Sequence, residues 1–370
     1  MIDFTSTKMK LDLNFPKDKL MLCPFCGMGH PMYINGTTRD YHSDELVLHP
    51  NEGYSFCNCK NIWYTDWKNI NQEKYHYTER LNSLDIAEDN SSIRFRESID
   101  TLSSFNKDIK KFLDIGCGLH FLDDLIHKKL GWEVTGIDMN GDLEKNNRKL
   151  IVGDIGDKNI FAGIGKFDVV LASHVIEHLK DPIKFLYDIN DNIEDGGLLL
   201  IMSPDPSFLN LVHPSTYTNF GIHQHHTIWN VYDYAQEVKN AGYIVGKAMN
   251  LGNPLATEWQ IFAHKPSNRN KLFIKCMGGK DKGIVPLDSI SPEDSGHNLD
   301  DIDKEHREGA EAVKKLIGEG KKILPIACTE YGKRLDGFKR YIAYKELGIK
   351  EIEVVIEKRG GCQHGEPWVM

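Results

Sequence analysis

Nowhere does the chain carry an apolar run approaching the ~20 residues needed to span a bilayer. Its first stretch, MIDFTSTKMKLDLNFPKDKL, mixes acidic, basic and apolar residues and lacks the apolar centre of a secretory signal. Excess positive charge is missing too. Lys and Arg number 45 against 54 Asp and Glu, a formal net charge of −9. That balance argues against a protein built chiefly to grip a nucleic-acid backbone, although a local basic groove stays open. Cysteine is sparse: eight in 370 residues, four of them clustered early, which is no disulfide framework. Internal repeats and low-complexity tracts are absent. These absences leave an expectation of a globular cytoplasmic protein with reduced thiols, no membrane partner, and length enough for two or three domains.

The chain divides into three segments of different character. Residues 1–80 are rich in Cys, His, Tyr, Trp and Asn, with little periodicity. Residues 81–266 alternate short apolar runs with amphipathic stretches. Residues 272–370 have a strand and helix pattern of their own. The polar stretch Lys265 to Lys271, KPSNRNK, reads as the linker between the last two.

The middle segment reads as strands separated by helices. Strands are expected at Lys111–Ile115, Trp132–Asp138, Leu150–Gly153, Phe167–Ser173 and Leu198–Met202. A helix is expected from Leu119 to Leu130. Another starts at Asp181-Pro182, a capping Asp followed by Pro at the first helical position, and carries Ile183, Leu186, Ile189 and Ile193 inward. A helix Val231–Ala241 and strands Tyr243–Met249 and Trp259–His264 close the segment. Strands this apolar, alternating with helices, predict an α/β fold with a parallel sheet covered on both faces.

Phe112 to Gly118, FLDIGCG, places Asp114, Gly116 and Gly118 at a strand-to-helix turn. Glycine there lets the backbone approach a ligand, and the next helix offers free N–H groups. GID ends the second strand in Asp138, a carboxylate able to accept both hydroxyls of a ribose. VGDI ends the third in Asp154. Ligands of such sheets bind outside the carboxyl ends of the strands, where all three carboxylates fall. The turn is not a dinucleotide GxGxxG, because Leu119-His120-Phe121 follows Gly118.

Taken together, DIGCG, GID, VGDI, FDVVLASHVIEHLKDPIKFL and GGLLLIMSP stand in an order that resembles the class I S-adenosylmethionine-dependent methyltransferases, over about residues 93–266. The resemblance implies a Rossmann-like sheet. It implies contacts from Asp114, Gly116, Cys117 and Gly118 to the methionine part of the cofactor. Asp138 and Met139 would meet the ribose, Asp154 and Ile155 the adenine, and Ser173 and His174 would lie near the sulfonium.

Methyl transfer asks little of a protein beyond alignment and activation of the acceptor. Two clusters offer such help: His174, Glu177 and His178 in an HxxEH pattern, and His223, His225 and His226 in GIHQHHTIW. The first is similar to the ExxEH of O-methyltransferases of ubiquinone synthesis and of small-RNA ends, which bind a divalent metal there. Here His174 replaces the first Glu. Metal binding, a histidine general base, and a purely orienting role for Glu177-His178 all remain open at this point.

Cys23-Pro-Phe-Cys26-Gly is half of a zinc site, and Cys57-Asn-Cys59 supplies two more thiolates, as CxC rather than CxxC. Four thiolates make a closed structural site, with His30, His42 and His49 as substitutes. The segment resembles the zinc ribbon preceding some small-molecule methyltransferases, where a cysteine pair leads into an aromatic run, here IWYTDW.

In the last segment, strands are expected at Gly283–Ile290, Lys322–Cys328 and Glu351–Ile356, with helices His306–Gly318 and Phe338–Leu347. The order resembles the ParB/sulfiredoxin-like fold, a smaller α+β domain, over about residues 283–357. There the Gly-x-x-Arg turn, here Gly337-Phe338-Lys339-Arg340, binds nucleotide phosphates. That likeness implies a nucleoside triphosphate with Mg at Gly337, Lys339 and Arg340. Phe338 stands where sulfiredoxins carry their reactive Cys, which argues against that chemistry. The expected function is methyl transfer to an O or N atom of a small acceptor, nucleotide-linked or phosphorylated in one version. The alternatives are a nucleic-acid- or protein-modifying enzyme whose ParB-like domain is an ATP- or CTP-dependent kinase, switch or nuclease module, and a cofactor-binding protein without turnover.

Overall fold

The computed structural model describes residues 20–31, 34–39, 46–65, 110–118, 121–139, 149–206, 225–253, 256–291 and 302–357. His223, His42 and the tail after residue 357 lie outside them. No helix among the described residues is long and apolar enough to cross a membrane.

The centre is a seven-stranded sheet. Its strands are β6 (Lys111–Ile115), β7 (Glu133–Asp138), β8 (Lys149–Val152), β9 (Phe167–Ser173), β10 (Ile193–Pro204), β12 (Ile244–Asn253) and β13 (Ala256–His264), in the order β12-β13-β10-β9-β6-β7-β8. All run parallel except β13, which is antiparallel to both neighbours. The chain starts in the middle, at β6, and winds first towards β8 and then back past β9. That reversal leaves a crevice at the carboxyl ends of β6 and β9. Phe112, Val169, Val170, Leu171, Leu199 and Ile201 are all buried, as a sheet covered on both faces requires.

Local chemistry fixes the helices. Helix α1 (Phe121–Leu130) stops before Gly131 at φ 70°. Asp181 caps α2 (Pro182–Asp188) by accepting the Lys184 amide at 2.8 Å, and Asn230 caps α3 (Val231–Asn240) through the Tyr232 amide. Helix α2 is shorter than its periodicity predicts. A 3-10 turn follows it, and Ile193 enters the core as the first residue of β10.

The cysteine segment holds strands that the sequence pattern did not reveal. A hairpin pairs β1 (Leu20–Leu22) with β2 (Gly29–Pro31). Strands β3 (Ile34–Arg39), β4 (Leu46–Cys57) and β5 (Ile62–Thr65) form a sheet whose fourth member, β11 (Thr227–Trp229), comes from the central segment. The two segments share one core: Met21, Cys23, Cys57, Ile62 and Tyr64 pack in the same cluster as Ile176, Trp229 and Tyr234.

The stretch from Lys265 to Lys271 is not a free linker. Lys265 is buried, with Nζ donating to the carbonyls of Asn190 (2.8 Å) and Ile193 (3.1 Å). Ser267 and Asn270 make a reciprocal cap on α4 (Asn268–Met277). Beyond it, a four-stranded sheet has the order β14 (Lys282–Pro286), β17 (Glu351–Ile356), β15 (Ile326–Cys328), β16 (Arg334–Asp336), with α5 (Lys304–Gly318) and α6 (Phe338–Glu346) packed on each other. Both β14 and β15 are shorter than expected. Pro286 leads into a 3-10 turn, and the residues from Lys321 to Pro325 take no regular structure.

Truncating Ile62 tests the shared core. It is fully buried, so Ile62→Ala is expected to cost about 2–5 kcal/mol. Denaturant melts should show this as one shifted cooperative transition. An early separate transition with the main midpoint unmoved would mean two independent cores.

Candidate functional site

The crevice is built from strand ends. After β6 the chain turns sharply: Gly116 has φ 68°, and its amide and that of Cys117 donate to the Ile137 carbonyl at 2.8 and 3.1 Å. A Cβ on Gly116 would meet Val175 Cγ2 at 2.6 Å, so only glycine fits. Gly118, at φ 51°, donates its amide to Asp138 Oδ2 at 3.0 Å. The loop after β6 and the carboxylate after β7 are thereby joined. Asp114 is buried at the same edge, and burial beside Asp114, Asp123 and Asp138 pushes the Cys117 thiol well up, so it is an inert wall. Met139 is exposed at the rim. Asp154, also exposed, turns its carboxylate onto its own loop and accepts the Gly156 amide at 2.7 Å, while Ile155 packs against the core. Ser173 is half-buried at the end of β9.

Immediately after Ser173, His174 adopts φ 55°, rare for a non-glycine residue, and its amide donates to the Met202 carbonyl at 2.9 Å. Its ring lies between two carboxylates. Nδ1 is 3.1 Å from Glu177 Oε1 and Nε2 is 3.1 Å from Glu258 Oε1. Strain of this sort collects at functional positions.

Glu177 is completely buried. Burial alone would raise its carboxyl, but the hydrogen bond and charge of His174, with His178 and His225 nearby, outweigh it and hold the group at about 2. Ser203 Oγ donates to Oε2 at 3.0 Å. Oε1 has the His174 contact at 3.1 Å and no further donor. Glu177, His178 and His225 offer ligand atoms that all lie within 4.8 Å of one another, and the rings of His178 and His225 meet edge to face at 4.8 Å. A buried carboxylate whose Oε1 meets only the His174 ring, beside two further imidazoles, fits a divalent cation. His226 is buried beside them, its amide donating to the Glu177 carbonyl at 2.6 Å. Burial first, then His178 and Lys180, hold its ring at about 4, too low for an effective base at neutral pH.

The structure brings Glu177 and His178 of one expected cluster together with His225 of the other, and adds Ser203 and Glu258, which the sequence pattern did not single out. Both come from later strands, in segments that read as plain sheet. Only the pairing of β10 with β13, Ser203 opposite Trp259 and Pro204 opposite Glu258, brings them to His174 and Glu177.

The four early cysteines also meet. Cys23 and Cys59 sulfurs are 3.6 Å apart, as are those of Cys26 and Cys57, with all four within 4.8 Å. A zinc tetrahedron with bonds of about 2.3 Å has edges of about 3.8 Å, so the set fits. The CxC spacing is no obstacle, because the Cys59 amide folds back to donate to Cys57 Sγ at 3.4 Å. The Met28 backbone holds the Cys26 thiol down at about 6, while burial pushes Cys57 up.

At the far end, Gly337 caps α6 at φ 98°. The cations expected to hold phosphate are engaged within the unit. Arg340 pairs with Asp336 at 2.7 Å and donates to the carbonyls of Leu324 and Pro325, and Lys339 pairs with Glu305 at 2.8 Å. Arg334 is fully buried, stacked on Phe338 and Tyr341 at 4.5 and 4.9 Å. Each cation of this turn therefore has an acidic partner beside it, Asp336 for Arg340 and Glu305 for Lys339.

The buried histidines carry a pH dependence. His226 and His264 sit at about 4 when folded, against an ordinary 6.5, burial being the main cause in both. Between those values the unfolded chain binds more protons, so stability falls as pH drops from 6.5 towards 4. Glu177, depressed from 4.5 to about 2, continues the loss below that window. Thermal midpoints measured across the range should decline accordingly, and His226→Gln should flatten the upper part. A wild-type slope in that variant would remove His226 from the account.

Residues 90–246 match the model of a family described as a methyltransferase domain. Over 101 residues the chain is 36% identical to the ubiquinone biosynthesis O-methyltransferase of Caulobacter vibrioides, a match spanning 24% of this chain and 38% of that enzyme. It is 26% identical over 154 residues to the ajmaline N-methyltransferase of Rauvolfia serpentina, covering 37% of this chain and 53% of that one. Among solved structures, the plantazolicin methyltransferase in complex with SAH superposes with a TM-score of 0.40 at 18% identity, over 50% of this chain and 90% of that chain. The match therefore spans about two fifths to half the length of the curated relatives. The segment from 90 to 246, which holds the strand ends and the glycine turn, is thus similar to the methyltransferase domains of class I, the S-adenosylmethionine-dependent kind.

Proposed function

We propose that the protein is a methyltransferase that moves the methyl group of S-adenosylmethionine to an oxygen atom of a small acceptor held beside His174. The observation that carries the reading is the gathering of Glu177, His178 and His225 at the end of the same strand that would floor the sulfonium. In this reading Asp138 accepts the ribose hydroxyls, and the Gly116–Gly118 turn admits the methionine part because a side chain there would strike Val175. The acceptor oxygen attacks the methyl carbon in line, the carbon–sulfur bond breaks, and S-adenosylhomocysteine leaves. Positioning is the main service the protein must supply.

A hydroxyl acceptor must also lose its proton. Glu177, His178 and His225 would hold a divalent cation, whose chemistry is to lower the pKa of an oxygen bound next to it. His174, fixed between Glu177 and Glu258, would orient the acceptor beside that cation. An amine acceptor would need no cation, so the metal cluster favours oxygen over nitrogen. Cys23, Cys26, Cys57 and Cys59 would hold a structural zinc.

Calorimetry with S-adenosylhomocysteine tests the cofactor half. Wild type should bind, and Gly116→Ala should weaken binding about tenfold or more through strain and the Val175 clash. No heat with the wild type would end the cofactor assignment. Titration with Mn(II) followed by electron paramagnetic resonance tests the other half: Glu177→Gln should abolish uptake while leaving S-adenosylhomocysteine binding intact. Equal uptake by the variant would place the cation elsewhere.

A further inference from the structure

The peptide joining His225 to His226 is held from two sides. The Tyr54 hydroxyl donates to the His225 carbonyl at 2.7 Å, and the Thr65 amide donates to the His226 carbonyl at 3.2 Å. From the other side, the His226 amide donates to the Glu177 carbonyl at 2.6 Å. One set of bonds comes from the cysteine segment and the other from the backbone of the buried carboxylate. We propose that Tyr54 is a positioning residue for His225, itself fixed by the four-thiolate cluster, so that zinc at the cysteines and a divalent cation at Glu177, His178 and His225 bind cooperatively. The inference rests on the cation reading of those three residues given above.

The route is short. Tyr54 and Cys57 lie three residues apart on β4, and Tyr54 is fully buried, so its ring has no second place to go. The next strand, β5, starts at Ile62, after the turn that carries Cys59, and pairs along its length with β11: Ile62 with Trp229, Trp63 with Ile228, Tyr64 with Thr227. His225 and His226 stand immediately before β11. The same cysteine turn is clamped to α3, because Lys60 pairs with Glu237 at 2.7 Å and Asn61 donates to Asp233 at 3.1 Å. On its other flank, Phe25, between the first two cysteines, meets Trp229 edge to face at 5.6 Å. Four thiols drawn together by one ion thus fix both ends of the surface on which the His225 segment lies.

Without that ion, the thiols of Cys23 and Cys26 meet those of Cys57, at the end of β4, and Cys59 only through weak S–H contacts at 3.6 Å, and the hairpin is otherwise tied to β4 and β5 by the Tyr64 hydroxyl on the Met21 carbonyl and the Ser55 hydroxyl on the Pro31 carbonyl, both at 2.9 Å. The β4–β5 turn then gains freedom that β11 must share. Linkage makes the effect reciprocal: a cation that orders His225 also favours the closed cysteine cluster.

The test uses the full chain loaded with zinc. Tyr54→Phe removes one hydroxyl and keeps the ring. Elemental analysis should find zinc retained and calorimetry should find S-adenosylhomocysteine binding unchanged, while Mn(II) binding weakens about three- to tenfold, the worth of one neutral hydrogen bond. Mn(II) reports on the carboxylate–imidazole set because thiolates prefer zinc. Wild-type Mn(II) affinity in the variant overturns the proposal.

Hydrogen exchange supplies a second measurement, made on wild type without added Mn(II). Stripping zinc with a chelator should speed exchange at His226 and along Thr227–Trp229 while Lys111–Ile115 stays protected. Unchanged exchange at His226 overturns the coupling, as does failure of the chain to take up zinc. If wild type binds no Mn(II), the cation reading falls and the exchange result alone decides whether the cysteines hold this segment. The same measurement decides if Tyr54→Phe loses S-adenosylhomocysteine binding and so proves misfolded.

Discussion

A carboxylate with no exposure to water needs polar neighbours, and Glu177 draws them from four separate elements of the central segment. Ser203 comes from β10, His174 from the bend after β9, His178 from the following turn and His225 from the approach to β11. Even the Glu177 carbonyl is used, accepting from His226. Burying this charge is affordable only because these elements meet at one sheet edge. The position of the crevice follows from the winding order of the sheet, and the position of Glu177 follows from the crevice.

The legible part of the sequence was the part with short-range causes. Phe167–Ser173 reads as a buried strand because it is almost wholly apolar, and the observed strand has those bounds. Asp181-Pro182 announces a helix through a cap and a fixed φ, both present. Glycines 116 and 118 mark a turn because their conformation excludes other residues. The four cysteines are a local signal twice over, and they converge.

What the pattern hid depends on distant pairing. Strands β3 to β5 lack alternation clear enough to read alone, and their sheet is completed by β11, which lies far along the chain and pairs with β5. Glu258 looks like any acidic residue at a strand edge until β13 is laid antiparallel to β10. Lys265 looks like a linker residue until its ammonium is seen bonded to two carbonyls under α4. Gly-x-x-Arg is legible as a short motif, whereas the pairing of Arg340 with Asp336, four residues earlier, shows only in the fold.

Strand β11 belongs by sequence to the catalytic segment and by hydrogen bonding to the cysteine sheet. The usual notion of a detachable accessory module therefore does not apply. A fragment cut at the boundaries of the family match would retain β11 with its partner β5 removed, leaving Ile228 and Trp229, both fully buried in the intact chain, at a raw sheet edge. Grafting a different N-terminal unit in front of this catalytic domain, or lifting it into another host, would require carrying β4, β5 and the thiol knuckle along as part of the same inseparable piece.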